Sequence, residues 1–257
     1  MYKMNVNSII TILLLYINII KKVINTPVEI DVKTNQQFIN AISQKNDVKL
    51  NIKKEITINS SLIYNVNSSI SKIIIQGEST ASSIIKFTNN DGGLSFGSST
   101  KEIEISNITI SFKTYFNDNE NIYIKNVVVD SGQFFFNTNY QDNNSIIISN
   151  STFIPPKYPI SYYIYLINSN FLIEGCKIYG NENILNAFLN AKNLKNNENY
   201  GELIIKDTLI SGGHFSKAFD IYNVKDVIID NSNFRELVNP SKKYKFLIKK
   251  KKKKKNY

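Results

Sequence analysis

"DVIIDNSNFREL" (226–237) is a short run of alternating apolar residues that ends at an asparagine and then resumes with Phe234. The same shape occurs in "EIEISNITIS" (102–111) and "SIIISNSTFI" (145–154). Aligned on one register, six segments obey apolar-x-apolar-x-[Asn/Gly/Asp]-x-x-apolar: Ile103–Ile110, Ile122–Val129, Ile146–Phe153, Phe171–Ile178, Leu203–Ile210 and Val227–Phe234. The fifth slot holds Asn107, Asn126, Asn150, Gly175, Asp207 and Asn231, and "KIIIQG", ending at Gly77, is a less complete copy. Successive copies recur on the scale of solenoid repeats.

Period-2 alternation of β-branched residues specifies strand rather than helix. Asn, Gly and Asp tolerate the left-handed backbone that a sharp corner needs. Stacked at strand spacing, corner amides can bond one to the next, so the six fifth-slot residues are expected to form a ladder that satisfies polar groups inside the bend. Strand, corner, strand, stacked coil upon coil, is a parallel β-helix. A leucine-rich repeat, the rival solenoid, needs more leucines and a steadier period.

A fainter strand set precedes the main repeats. Ile164, Leu166 and Asn168 in "YYIYLINSN" match Phe219, Ile221 and Asn223 in "AFDIYNVKD", and "FFFNTN" and "AFLNAKN" hold comparable places. "ENILNAFLNAKNL" also fits an amphipathic helix, but each coil needs that face to close, which favours strand. Near the front, "TNQQFINAISQK" (34–45) has Thr34 followed by Gln37, a capping-box spacing, with Phe38, Ala41 and Ile42 on one face. A helix there would plug the open end of the coil.

The 257 residues include roughly one Ile in six and one Asn in seven, and lysine far exceeds the single arginine, Arg235. The net charge of +10 is matched by the ten lysines of 242–255, so the rest of the chain is formally neutral. That distribution argues against a basic nucleic-acid-binding face. One cysteine, Cys176, excludes an intrachain disulfide, and one histidine, His214, excludes a multi-histidine metal cage. No metal and no cofactor is expected.

The apolar run Ile9–Ile20 behind Lys3 has the length of a signal-peptide core and falls short of a membrane span. Residues 1–24 are therefore expected to be an export signal, with an uncleaved membrane anchor as the alternative. Residues 28–238 are assigned to the β-helix and 239–257 to a solvated, unstructured lysine-rich tail. An extracellular chain would use its sequons, and Asn59, Asn67 and Asn143 are the expected glycosylation sites. Asn107 and Asn150 also head sequons, but the ladder is expected to withhold them.

The helix at 34–45, "DVKLNIKKEITI" (47–58), "SKIIIQG" (71–77) and the Ile-x-Ile-x-Asn coils resemble the pectin-lyase-like right-handed parallel β-helix superfamily, most closely its asparagine-rich secreted members in protists with A+T-rich genomes. The resemblance covers about residues 28–238 and rests on architecture. It implies an all-β right-handed solenoid with a short N-terminal capping helix. It also implies polysaccharide lyases, glycoside hydrolases or esterases, beside coils without activity.

Against that background the catalytic candidates are His214 in "SGGHF", which lacks the second glycine of the family's Gly-His-Gly segment, Asp220, and Arg235 after the last repeat. Glycosidase chemistry needs two carboxylates about 5–9 Å apart. Tyr163, Tyr165 and Tyr222 are candidates for stacking on sugar rings. The reading favours a binding or structural coil over a carbohydrate-active enzyme or a truncated inactive paralogue. The expected partner is an extracellular polysaccharide or another surface protein. Finally, Glu104, Tyr123, Ile147, Leu172, Ile204 and Ile228 should point outward, the last four as an apolar stripe. That stripe is expected to be covered by the loops "PPKYP" or "NLKNNENYG", or to drive self-association.

Overall fold

In the computed structural model the six repeats stack in the register the alignment sets. The first-slot residues Ile103, Ile122, Ile146, Phe171, Leu203 and Val227 are successive parallel-strand partners. The eighth-slot residues Ile110, Val129, Phe153, Ile178, Ile210 and Phe234 form a second such column. The structure describes residues 26–138, 144–192, 200–212 and 217–235. Within them the chain is a parallel β-helix with three strand faces per coil.

The first face runs through strands Val28–Val32, Val48–Ile52, Lys72–Gly77, Glu102–Ser111, Asn121–Asp130, Ser145–Ser149, Phe171–Glu174, Tyr200–Lys206 and Val224–Asp230. Two of these, Glu102–Ser111 and Asn121–Asp130, continue around the corner into the second face. Thr152–Ile154, Lys177–Tyr179, Leu209–Ser211 and Asn233–Arg235 extend that second face. The third face is a separate sheet, from Ile63–Asn65 through Gly93–Phe96, Lys113–Asn117, Gln133–Asn137, Ile164–Ile167 and Ala187–Lys192 to Lys217–Tyr222. "AFLNAK" is thus a strand, closing its coil as expected.

Alternation puts every second side chain inside. Ile103, Ile122, Ile146 and Ile173 are 2 % exposed or less, as are Phe116, Phe134 and Phe136 on the third face. Phe96, Phe116 and Phe136 stack ring on ring, with centroids 5.3 and 4.7 Å apart, because in-register coils repeat the same residue at strand spacing. Burying a side chain of this size contributes about 1.5–3 kcal/mol, and columns of them hold coil to coil.

Helix α1 (Asn35–Ile42) closes the N-terminal end. Thr34 Oγ1 accepts from Gln37 N at 3.2 Å, and Gln37 Oε1 accepts from Lys33 N at 2.8 Å. Phe38, Ala41 and Ile42 are buried on the coil, the face the sequence assigns. Lys–carboxylate pairs such as Glu29–Lys49, Lys72–Glu102 and Lys113–Asp91 link neighbouring coils outside. Exposed pairs of this kind add little stability.

Candidate functional site

All six fifth-slot residues adopt left-handed φ, from 43° at Asn231 to 63° at Gly175. Asn168 and Asn223 do the same in the fainter set, at 51° and 57°. The corners therefore lie where the repeat places them. Their side chains, however, do not lie inside the bend. Asn126, Asn150, Asp207 and Asn231 are exposed. Asn126 Nδ2 donates to Asn107 Oδ1 at 2.7 Å, and Asn231 Nδ2 donates to Asp207 Oδ1, so rungs exist but run along the outer surface. At Gly175 a Cβ would stand 2.6 Å from Asn150 Oδ1, so the glycine leaves room for its neighbour's amide.

The buried ladder is one residue further on. Ser151 Oγ accepts from Val127 N at 3.1 Å, and Cys176 Sγ accepts from Ser151 N at 3.4 Å. Thr208 Oγ1 accepts from Cys176 N at 3.4 Å, and Ser232 Oγ accepts from Thr208 N at 3.2 Å. Each of these groups also donates to the carbonyl two residues back, at 2.9, 3.4, 2.8 and 2.9 Å for Ser151, Cys176, Thr208 and Ser232. A residue in left-handed geometry turns the next N–H away from the strand ladder. A small hydroxyl or thiol from the following coil then satisfies it. Cys176 is 1 % exposed, and burial pushes its thiol up to about 11. It is a structural rung.

One register row of the third sheet aligns the half-buried Ser95, Tyr115, Phe135 and Tyr165 with the fully buried Asn190 and with Asp220. Tyr115 and Phe135 stack at 4.7 Å with ring planes 11° apart. Phe135 lies 6.4 Å from Tyr165, which also has Tyr162 at 6.3 Å and Lys192 Nζ at 5.8 Å from its centroid. The stacked Tyr115–Phe135 pair turns its ring faces together and its edges to solvent, a poor arrangement for covering a sugar face, whereas Tyr165 is tilted against both Phe135 and Tyr162. Tyr163 is not on this surface at all. It is fully buried, and its hydroxyl donates to the carbonyls of Ile154 and, at 3.1 Å, Tyr179. Burial holds its phenol well above the ordinary value. Its assignment to sugar binding is therefore corrected. Tyr222 is 63 % exposed and keeps its surface.

Of the catalytic candidates, His214 lies outside the described residues. Asp220 Oδ2 accepts from the fully buried Asn190 at 2.7 Å on the third sheet. Arg235 is exposed at the end of the second sheet, where its carbonyl accepts from Gly212 N. Asp220 and Arg235 thus belong to different sheets. No three His, Cys, Asp or Glu among the described residues are grouped to hold a metal ion. Among the sequons, Asn59 is exposed and accepts through Oδ1 from Thr88. Asn67 donates Nδ2, the atom a glycan would need, to Ser43 O at 3.1 Å. Asn143 lies outside the described residues. Asn150 is exposed, so burial does not withhold it from a glycan.

The first sheet carries the more promising surface. Ile74, Glu104, Tyr123, Ile147, Leu172, Ile204 and Ile228 are successive register partners facing outward. Tyr123 and Ile228 are 43 % and 42 % exposed, and Ile147, Leu172 and Ile204 between them are half-buried. A shallow groove crosses three coils there, with those three residues in its floor and Ser145, Asn170 and Glu202 along one wall. The wall is built by its own ladder: Asn144 Oδ1 accepts from Asn170 N at 3.2 Å, and Asn170 Oδ1 accepts from Glu202 N at 3.1 Å. On the other side Lys206 bonds Glu174 at 2.7 Å, and that carboxylate holds the lysine above its ordinary pKa. The "PPKYP" loop lies against the second sheet, where Lys157 pairs with Asp130 and Pro156 O accepts from Asn181 and Asn183. The loop "NLKNNENYG" falls largely outside the described residues. Compared with known protein families, curated proteins and solved structures, the chain matched none.

Proposed function

We propose that the chain is an exported, non-catalytic β-helix of the pectin-lyase-like kind that binds an extended polysaccharide along its first sheet. The observation that carries this reading is the groove floored by Ile147, Leu172 and Ile204 and walled by Ser145, Asn170 and Glu202. An extended glycan offers apolar C–H faces and a rim of hydroxyls, and this groove offers an apolar floor and a rim of amide, hydroxyl and carboxylate. Coils rise by about 4.8 Å, close to the length of one pyranose, so successive sugars would meet successive coils. Tyr123 at the head of the stripe supplies an aromatic ring for a terminal sugar. A glycan on exposed Asn59 would accompany export.

Affinity electrophoresis of the purified protein through gels containing soluble polysaccharides tests the reading. At least one neutral or weakly acidic polysaccharide should retard the protein, and Leu172→Lys should abolish retardation without shifting the thermal midpoint. Migration unaffected by every polysaccharide would sink it. New reducing ends or unsaturated products in the same gels would assign the chain to the carbohydrate-active enzymes instead.

A further inference from the structure

The fifth-slot column is bonded at both ends and open in its middle. Asn126 donates to Asn107 and Asn231 donates to Asp207, and between those pairs stand Asn150 and Gly175. Asn150 is exposed, and among the described residues its side-chain amide makes no hydrogen bond. Its backbone is fixed all the same, since Asn150 N donates to Glu174 O at 2.9 Å and φ is 49°. Gly175 brings no side chain to return a bond, and a Cβ there would stand 2.6 Å from Asn150 Oδ1. Asn150 is thus a well-placed amide that the ladder leaves unused, beside a space kept open in the next coil.

We propose that Asn150 carries an N-linked oligosaccharide. This rests on the export proposed above, because a chain meets the glycan donor only on that route. Asn150, Ser151 and Thr152 form the acceptor triplet. In the transfer Asn150 Nδ2 loses one proton and bonds the anomeric carbon of the oligosaccharide. The bond from that carbon to the diphosphate of a lipid-linked donor breaks, and the diphosphate leaves with the electron pair. Ser151 is buried in the inner ladder, so the transfer precedes closure of this corner. The folded chain then holds the glycan outside, because Asn150 is exposed and its amide is committed to no neighbour. Two other sequons lack that freedom. Asn67 spends Nδ2 on Ser43 O at 3.1 Å and Oδ1 on Ser69 N at 2.8 Å, and Asn107 is half-buried with its Oδ1 held by Asn126. The fold also sets where the sugar stands. Ser145 and Ser149 end one strand with the floor residue Ile147 between them, so Asn150 lies across the groove from the Ser145 wall. A glycan there adds a hydrophilic rim on the side that Glu174 and Lys206 border.

Translation of the full chain with rough microsomes, followed by protease digestion and a denaturing gel, tests export and occupancy separately. The protease-protected chain should carry a glycan that Asn150→Gln removes, read as a mobility shift of one glycan that endoglycosidase also abolishes. Thr152→Ala leaves Asn150 in place and should remove the same glycan, whereas Thr152→Ser should retain it. The gel is denaturing, so none of these readings depends on a variant folding. A protected wild-type chain that runs level with Asn150→Gln would overturn the proposal and leave export standing. A chain that is never protected would sink export and the proposal together.

Discussion

Cys176 illustrates how much one atom carries in this fold. Its sulfur accepts from Ser151 N and donates to Glu174 O inside the inner ladder. Cys176→Ser should keep both bonds and leave stability within about 1 kcal/mol, whereas Cys176→Ala leaves a buried N–H unpaired at a cost of about 1–3 kcal/mol. Urea denaturation of the two variants checks this, and equal midpoints would remove the rung from the account. The thiol's raised pKa also has a sign. Between about pH 9 and about 11 the unfolded chain's thiol ionises and the native one does not. The unfolded state therefore binds fewer protons there, so stability falls with rising pH across that window in the wild type. Cys176→Ser should lack this contribution to the slope. The sequence announces the corner at slot five because Asn, Gly and Asp share one conformational property. It conceals the ladder at slot six because Ile108, Val127, Ser151, Cys176, Thr208 and Ser232 share only small size or an inward direction. Hydroxyls scattered down an apolar column look like noise until the coils are stacked.

Among elements, strands were legible where alternation is strict and hidden where it lapses. The first-face columns alternate without error through Ile103–Ile105 and Phe171–Ile173, so both inside and outside assignments follow from pattern alone. On the third face, adjacent residues are buried at the strand entry, as at Gln133 and Phe134 or Tyr163 and Ile164. That irregularity turned Tyr163 inward, against the simple alternation that placed it outside. The groove was foreshadowed by its floor, whereas its wall of Asn144, Asn170 and Glu202 depends on backbone bonds between coils that no local pattern displays. Coil spacing sets another rule for the corners. A Cβ at Gly77 would meet Asn107 O at 2.2 Å and Ser83 Cβ at 2.5 Å, but at Gly175 it meets the end of the Asn150 side chain. Gly77→Ala should therefore cost about 3 kcal/mol, an overpacking penalty against backbone. Gly175→Asn should cost less than about 1 kcal/mol, because Asn tolerates left-handed φ and the Asn150 amide can swing aside. Thermal midpoints of the pair measure the contrast, and an equal loss in both would contradict the stacking at these corners.

At the scale of the whole molecule, each coil among the described residues pairs its strands with those of the coil before and the coil after. Stability is then close to a sum of coils and their interfaces. Deletion of residues 122–145 brings Ile146 into the place of Ile122 and rejoins matching columns on the first face. The shortened chain should fold with unchanged β signal and a proportionately smaller urea m-value, since less surface is exposed on unfolding. Loss of cooperative unfolding would show that the removed coil is special rather than one of a series. Because the cross-section repeats along the axis, the length of the molecule is quantised. Duplicating or losing one repeat in the gene moves the two ends by one strand spacing, about 4.8 Å, without redesigning a single interior contact type. Such a chain is a ruler whose graduations are written in its isoleucines, and reach can evolve independently of shape.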